Sequence, residues 1–311
     1  MSRLSNVSAS PVVREFAQGA AQRAIQPVAD FIAPAVNVPT STGKYKVYTE
    51  KNRFRLPDTR RSLGGRATRI GFDATDANYN CEPNALDYPV DNLEQLEAAQ
   101  LEDRLKEGAQ TVAEVAGLVH EKAVIDAALA AAGSGTGKTW NSAADPVDDL
   151  DTAVIAVLKA AKYGSLMSVG IVFGVNAWRI FKNQAAVRGR FIVGAGGKGG
   201  AAFSVPTESM AGDLILGRPE IKTSYMVYDT AAEGLAESIS FMLDTALLVF
   251  ARHPNPTRRD PSFMKTFRLM GQWMVPGSYV TEDGRGEVAK YDWSEDVVVT
   301  NSAAVVRYNI S

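Results

Sequence analysis

The stretch KYKVYTEKNRFRLPDTRRSLGGRATRI, residues 44–70, contains nine lysine and arginine residues and two acidic residues, so its net charge is +7. Residues 73–107 reverse the sign, because ten acidic and two basic residues give −8. The two blocks nearly cancel, and the 311-residue chain has a formal net charge of only −2. Adjacent blocks of opposite sign predict two surfaces that meet, either within one chain or between two copies.

The two blocks also differ in their predicted secondary structure. Alternating apolar and charged residues, with turn residues at Pro57-Asp58 and Gly64-Gly65, predict a long β-hairpin with a polar tip in the basic block. In the acidic block, apolar residues recur at helical spacing from Leu93 towards Ala132, which predicts a helix that starts near Asp91. At 1.5 Å per residue, about 40 residues would span about 60 Å, a length typical of a spine or strut.

The rest of the chain predicts a mixed architecture. Residues 1–43 are punctuated by four prolines and predict an extended arm that packs on the body or on a neighbour. Asp145-Pro146 predicts the start of a second helix, residues 168–173 a buried strand and residues 175–188 a third helix. Candidate β-strands follow at residues 220–228, 238–243, 246–252, 263–275, 297–300 and 304–309. The sequence therefore predicts the α+β class.

Residues 132–139 read AGSGTGKT and match a relaxed Walker A motif. A P-loop needs a strand before it and a helix immediately after it, whereas here a long predicted helix precedes it and the next helix waits until Asp145. We favour a linker and no cofactor, with a P-loop nucleotide-binding protein as an alternative. A single cysteine, Cys81, and two distant histidines predict neither a disulfide nor a metal site, and no nucleophile motif predicts an enzyme.

Several broad classes are disfavoured by simple patterns. The N-terminus lacks the apolar segment of a secretory signal, and the longest weakly polar run, residues 166–178, is too short to span a bilayer. The sequence therefore predicts a soluble protein. For the basic block we favour contact with another protein surface, because an equally acidic block follows it; nucleic-acid contact and a solvated face are the alternatives.

The order of the parts is an arm, a basic hairpin, an acidic long helix, a compact α/β lobe and a β-rich return. This order resembles the major capsid protein of tailed bacteriophages, which has the Hong Kong 97-like fold. Residues 32–39 and 43–48 are similar to the junction between arm and E-loop in that family, and residues 169–178 to a strand-to-helix step of its axial domain. The resemblance implies an N-terminal arm at 1–43, an E-loop at 44–80, a peripheral (P) domain at 81–144 and 253–311 with a spine helix at 91–132, and an axial (A) domain at 145–252.

The resemblance also implies a function. The chain would be a structural, non-enzymatic coat protein that self-assembles into hexamers and pentamers of an icosahedral head enclosing double-stranded DNA. Its partners would be further copies of itself, a portal protein, a separate scaffolding or decoration protein, and packaged DNA bound without sequence specificity. It would reside in the virion after assembly in the host cytoplasm. An encapsulin-like compartment shell with the same fold is an alternative.

On this reading, the basic E-loop lies over the acidic spine helix of an adjacent subunit. The expected contact residues are Lys51, Arg53, Arg55, Arg60, Arg61 and Arg66 on the E-loop, and Glu94, Glu97, Glu102, Asp103 and Glu107 on the spine helix. A single exposed ion pair contributes only about 0–1 kcal/mol. Many pairs repeated over a shell still fix the register, and two unlike surfaces allow the head-to-tail contact that closes a ring.

Overall fold

A computed structural model describes residues 27–49, 56–61, 63–70, 73–91, 101–162, 167–190, 206–232, 234–253, 255–258, 260–273 and 275–311. Most of the predicted arm and the middle of the acidic block lie outside the described residues. The described helices are α1 Pro27–Ile32, α2 Leu101–Ala132, α3 Pro146–Ala161, α4 Val175–Asn183, α5 Ala185–Arg190 and α6 Glu208–Leu214, with a 3-10 helix at Ser302–Ala304.

The described strands are β1 Ala35–Val38, β2 Thr42–Thr49, β3 Asp73–Asn80, β4 Glu82–Asp91, β5 Thr136–Lys138, β6 Ser168–Gly174, β7 Glu220–Ser224, β8 Val227–Asp229, β9 Ile239–Phe241, β10 Ala246–Arg252, β11 Met264–Leu269, β12 Val275–Val280, β13 Gly286–Val299 and β14 Val305–Ile310. They form two five-stranded sheets and two hairpins, β2–β3 and β8–β9. The mixture of helices and sheets agrees with the predicted α+β class.

The first sheet has the order β1-β11-β13-β12, with β4 also paired to β13. Strand β13 is 14 residues long and therefore reaches all three of its neighbours, β4, β11 and β12, in antiparallel register. Its inward-facing Tyr291 and Trp293 are buried against Val112, Ala113 and Ala116 of α2. The small residues of the helix let it lie close to the sheet, so α2 is the long support of this half of the molecule.

The second sheet has the order β5-β14-β10-β6-β7 and is covered on both faces. On β6, Ile171 and Phe173 face one hydrophobic core, formed with helices α3, α4 and α5. The side chain of Val172, which lies between them, points to the opposite face of the sheet. It belongs to the other core, formed with α1, α2 and the start of β11. A strand buried on both faces reads as a continuous apolar run, and residues 169–173 (VGIVF) have that character.

Helix α3 confirms the sequence signals at its N-terminus. The Asp145 side chain accepts a hydrogen bond from the backbone N–H of Val147, and Pro146 occupies the first helical position. At the other end, Lys162 adopts the left-handed conformation with φ of 61°, and its N–H bonds back to the carbonyl of Leu158. The helix therefore ends at Ala161.

The structure differs from the sequence expectations at four boundaries. Asp91 is the last residue of β4, paired with Gly286, so the helix does not begin there. Residues 175–188 form two helices, because the backbone at Gln184 is extended (ψ 134°). Residues 136–138, expected in a linker, form strand β5. The C-terminal strand β14, which the resemblance places in the P domain, pairs with β10 of the second sheet.

Candidate assembly surfaces

The base of the β2–β3 hairpin is fixed to the first sheet by aromatic packing. The eight residues of each strand pair in antiparallel register, from Thr42 opposite Asn80 to Thr49 opposite Asp73. This confirms a β-hairpin, but its returning strand lies at the start of the acidic block and not within residues 44–70. The rings of Tyr45 and Tyr79 lie 5.5 and 4.8 Å from that of Phe267 on β11. A Cβ at Gly43 would lie 2.4 Å from the Tyr79 hydroxyl oxygen, so glycine allows this close packing. The hairpin therefore projects from a rigid base.

The tip of the hairpin combines exposed positive charge with exposed apolar side chains. The hydroxyl of Thr68 donates to the carbonyl of Asp58 at 3.0 Å, which draws the two sides of the tip together. Leu56 and Leu63 are fully exposed, and Ile70 is also exposed. Three of the predicted contact residues, Arg60, Arg61 and Arg66, are exposed on the same tip. Within the described residues these three arginines have no ion-pair partner, so the tip presents an unneutralised surface, as interface residues do.

The outer face of α2 has complementary chemistry. Val115 and Val119 lie one turn apart and are 42% and 48% exposed, although one face of the helix is fully buried. Glu107 and Glu114 are exposed on the same helix, and Arg104 approaches Glu107 at 3.7 Å. A Cβ at Gly108 would lie 2.5 Å from the ring of Tyr88, so this glycine lets β4 cross the helix. The described outer face thus combines the exposed Val115 and Val119 with carboxylates, of which Glu107 is paired with Arg104.

The structure describes only some of the predicted contact residues. Arg60, Arg61 and Arg66 lie on the hairpin tip, and Glu107 lies on the outer part of α2. Glu102 and Asp103 lie in the first turn of α2, where the backbone alone is described. The remaining predicted residues lie outside the described residues: Lys51, Arg53, Arg55, Glu94 and Glu97. The E-loop and spine contact therefore stays a prediction.

A buried charged cluster, which the sequence analysis did not identify, anchors α1 to α2 and the first sheet. The guanidinium of Arg268 donates to Asp30 at 2.6 Å and to Nε2 of His120 at 3.3 Å, and it stacks 3.6 Å from the Trp273 ring centre. Because a guanidinium only donates, Nε2 of His120 accepts and the ring proton resides on Nδ1, which lies 2.8 Å from Glu295. In the sequence, this cluster is indicated only by charged residues that lie within apolar segments.

Glu121 is the second link to α1. Its side chain is fully buried, and one carboxylate oxygen accepts from the backbone N–H of Ala29 at 2.9 Å. Its other oxygen has no hydrogen-bond partner among the described residues. Burial raises the pKa of Glu121 to about 7, and the nearby charge of Asp30 adds to the rise, although the Ala29 N–H opposes it. Ionisation of Glu121 therefore lowers the stability of the folded protein, mainly because the charge is desolvated.

We expect the stability of the protein to depend on pH through Glu121. The carboxyl has a pKa of about 7 when folded against 4.5 as a free side chain, so its contribution is present below pH 4.5 and is lost as the pH rises through 7. The loss amounts to about 3 kcal/mol. Urea unfolding between pH 4.5 and 8 measures it. Glu121→Gln keeps an acceptor oxygen and should remove this part of the pH dependence, whereas parallel curves for the two proteins would contradict the assignment.

The Walker A-like segment has a structural role. Lys138 on β5 donates to Asp149 at 2.7 Å, and its ammonium lies 5.3 Å from the ring centre of Tyr308. The Trp140 indole donates to the other Asp149 oxygen at 2.9 Å. The hydrogen bond to Asp149 is the main reason that the pKa of Lys138 is raised. A helix precedes the segment and a strand forms within it, which is the reverse of the order a P-loop needs.

Lys138→Ala should therefore lower the stability of the protein. It should not change the effect of Mg-ATP on the melting temperature, because we expect no nucleotide to bind. The pair with Asp149 is partly solvent-exposed, so we expect a loss of about 0.5–1 kcal/mol. Thermal melts with and without millimolar Mg-ATP provide the measurement, because a ligand that binds the native state raises the melting temperature. If ATP raised the melting temperature of the unsubstituted protein but not that of the variant, the nucleotide-binding alternative would be supported.

No group of three or more histidine, cysteine, aspartate or glutamate side chains in the part of the chain that the structure describes is placed to hold a metal ion. No helix in the described ranges combines the length and apolar character needed to cross a membrane.

Comparison with proteins of known structure identifies the fold. No protein family model matches the sequence, and no curated protein matches it. Among solved structures, the chain is similar to a phage-related protein from Bordetella bronchiseptica RB50, with 18% identity, a TM-score of 0.64 and coverage of 97% of both chains. It is also similar to a chain of the bacteriophage PhiM1 mature capsid, with 11% identity, a TM-score of 0.55 and coverage of 90% of this chain and 86% of that one.

An encapsulin has a similar fold. The chain matches the encapsulin of a holo complex from Synechococcus elongatus PCC 7942 with 13% identity, a TM-score of 0.53 and coverage of 92% of this chain and 88% of that one. At these identities the likeness concerns the fold. The chain has the α+β fold of phage capsid proteins, the Hong Kong 97-like fold, over nearly its whole length.

Proposed function

We propose that the chain is a structural major capsid protein that self-assembles into hexamers and pentamers of an icosahedral phage head enclosing double-stranded DNA. The proposal assigns it no catalytic role and no cofactor. Its partners are other copies of the chain, a portal protein, and a separate scaffolding or decoration protein, and it contacts packaged DNA without sequence specificity. Its location is the virion, after assembly in the host cytoplasm.

The observation that carries the proposal is the capsid fold combined with an unneutralised, projecting hairpin tip. The match to the phage-related protein covers 97% of each chain, so the likeness of fold extends over nearly the whole length of both. Leu56 and Leu63 are fully exposed beside a cluster of arginines, and a surface that combines apolar side chains with unpaired positive charge is a candidate for contact with another copy. Such a tip is better explained by a surface of another copy that covers it.

The surface that best fits the tip is the outer face of α2 on an adjacent copy. The tip offers Arg60, Arg61 and Arg66 with two leucines, and the helix offers acidic residues with Val115 and Val119. Opposite charges favour encounter and register, while burial of the aliphatic side chains supplies about 25 cal/mol per Å² removed from water. The two surfaces differ, so each copy gives one and receives the other, and a ring can close.

The encapsulin-like compartment is the second candidate, because the encapsulin match covers 92% of this chain. Both functions need the same shell and differ in what it encloses. Shells isolated from the natural source would hold nuclease-protected double-stranded DNA under the capsid proposal and a co-purifying protein cargo under the encapsulin alternative.

Negative-stain electron microscopy and sedimentation of the purified protein test the proposal. We expect rings or closed shells tens of nanometres wide, formed by the chain alone or with a candidate scaffolding protein co-expressed. A species that stays near the 33.4 kDa of one chain, even with the scaffold present, would contradict self-assembly.

A further inference from the structure

The β2–β3 hairpin is joined to the first sheet through a single residue. Strand β3 ends at Asn80 and β4 begins at Glu82, so only Cys81 separates the hairpin from a strand that pairs with β13. Cys81 is buried. Its backbone N–H donates to the Ser41 carbonyl at 2.7 Å, and its carbonyl accepts from the Ser294 hydroxyl at 3.0 Å. The side chains packed around this joint therefore decide the direction in which the hairpin leaves the sheet.

The Tyr79 side chain lies beside this joint and is held from several sides. It is buried, and its ring stacks on that of Phe267 at 4.8 Å with 24° between the ring planes. Its hydroxyl lies 3.2 Å from the Thr40 hydroxyl, and the Arg258 guanidinium lies 5.8 Å from its ring centre. Because protein interiors are close-packed, a ring enclosed in this way passes a displacement on to its neighbours.

Gly43 provides the space for the Tyr79 ring. The two residues are directly opposite each other in the hairpin, so their side-chain positions share one face. A Cβ at Gly43 would lie 2.6 Å from Cζ and 2.8 Å from Cε1 of Tyr79, about 1 Å inside ordinary contact distance. The backbone of Gly43 lies outside the left-handed region, so this contact alone excludes alanine. Alanine at this position would act as a wedge between β2 and the ring that stacks on Phe267.

A displacement at this position is amplified along the hairpin. Tyr45 rests on the same Phe267 ring at 5.5 Å and lies two residues beyond Gly43, about 7 Å along the strand. If Tyr45 is the pivot, a wedge of about 1 Å at Gly43 rotates the hairpin by about 8°. Thr49, about 14 Å beyond the pivot, then moves by about 2 Å and carries the tip with it. Hydrogen bonds do not survive a shift of this size.

We propose that Gly43 and Tyr79 are positioning residues for assembly, which fix the angle of the β2–β3 hairpin so that its tip meets the surface of another copy. Glycine at position 43 lets the Tyr79 ring lie against β2 while it stacks on Phe267, and this packing sets the angle. Both residues are buried in their own chain and act through the tip. The inference rests on the proposed self-assembly and adds the residues that direct the tip.

Distances between two spin labels measure this angle directly. The labels are attached at Thr59→Cys on the tip and Ala156→Cys on α3, both exposed positions, and labelled chains are diluted in an excess of the same variant without labels. Cys81, the single natural cysteine, is buried, and burial raises the pKa of its thiol to about 11, so it should react little with the label. We expect Gly43→Ala to shift the mean distance by about 2 Å or more. The yield of unlabelled particles should fall about tenfold, because every contact around the ring is misplaced in the same way.

Gly170→Ala is the matched control. A Cβ at Gly170 would lie 2.8 Å from the Phe250 ring and 2.9 Å from that of Phe31, so alanine meets buried aromatic rings here as well, but on β6 of the second sheet. It should lower stability without changing the distance between the labels, and the folded chain should still assemble. Adding Tyr79→Leu to Gly43→Ala removes the ring atoms that the new methyl group meets, and should reverse most of the shift in mean distance.

The outcomes separate this inference from the proposed function. A folded Gly43→Ala chain that keeps the label distance of the unsubstituted protein overturns the positioning role and leaves the shell function standing. A shifted distance with an unchanged particle yield does the same, because the angle would then not matter for assembly. A shift that Gly170→Ala shares, or that Tyr79→Leu does not reverse, also overturns the role, since it would not arise from the contact at Gly43. A chain that never assembles overturns both.

Tyr79→Leu alone provides a second test if circular dichroism shows that Gly43→Ala is unfolded. This variant adds no bulk at the joint, but it removes the ring that stacks on Phe267 and the hydroxyl next to Thr40. The hairpin should then sample a wider range of angles, so we expect a broader distribution of label distances and a lower particle yield. A distribution as narrow as that of the unsubstituted protein would overturn the role of Tyr79.

Discussion

Replacing Arg60, Arg61 and Arg66 together with glutamate is expected to abolish shell formation while leaving the subunit folded. These side chains are exposed on the hairpin tip and have no ion-pair partner among the described residues of their own chain, so their loss removes no described intrachain ion pair. Each exposed pair contributes about 0–1 kcal/mol, and reversal replaces attraction with repulsion. Three reversals should weaken each contact by about 3 kcal/mol, more than a hundredfold in its equilibrium constant.

Electron microscopy and sedimentation of the triple variant measure this effect, with circular dichroism to verify folding. The matched control reverses three exposed basic residues away from the tip, Lys159, Arg218 and Arg285, and should still assemble. The decisive variant combines the tip reversal with Glu102→Lys, Asp103→Lys and Glu107→Lys, which should recover assembly if the tip lies over the spine helix. Normal shells from the triple variant would remove the E-loop contact from the proposal.

The elements that could be predicted from the sequence are those whose signals are local. The β2–β3 hairpin is marked by turn residues, and the start of α3 is marked by Asp145-Pro146. Strand β10 was predicted with its observed bounds, because residues 246–252 form an apolar run that is buried on both faces. In each case the residues that decide the structure are neighbours in sequence.

The elements that were missed depend on partners that are distant in sequence. In β13, the charged residues Lys290, Asp292 and Glu295 alternate with buried aromatic residues, and the strand is long because three other strands pair with it. Strand β14 follows the first sheet along the chain, yet it pairs with β10 of the second sheet. No local pattern indicates with which sheet a strand pairs. The predicted domain boundary at residue 253 therefore separated β14 from β10, the strand with which it pairs.

For the candidate contact surfaces, only the charge could be predicted from the sequence. Blocks of like charge such as residues 44–70 are visible without knowledge of the fold. The exposed leucines of the tip were not, because an apolar residue in sequence is expected in the core until burial shows otherwise. The buried cluster around Arg268 was missed for the opposite reason, since charged residues are expected at the surface.

That cluster also leads to a prediction about subunit stability. Arg268 is 7% exposed and is the cation that faces Asp30 from α1 and lies next to His120 of α2. Arg268→Met preserves most of the side-chain volume and removes the charge, leaving the Asp30 carboxylate without its partner. The Asp30 side chain is 38% exposed and regains water when its partner is removed, so we expect a loss of about 1.5–3 kcal/mol, the contribution of a hydrogen bond to a charged group, and not the larger cost of breaking a fully buried pair. Urea unfolding measures the loss.

The matched control for this prediction is Arg218→Met, which removes an exposed arginine 3.9 Å from Asp213 and should change stability by less than about 0.5 kcal/mol. Adding Asp30→Asn to Arg268→Met should recover part of the loss, since the uncompensated carboxylate disappears, and the cycle of single and double variants gives the coupling energy. Equal stability of Arg268→Met and the unsubstituted protein would contradict the anchoring role. Because α1 enters the same core as Val172 and Phe263, weakening this anchor should loosen the contact between the two sheets and thereby lower shell yield as well.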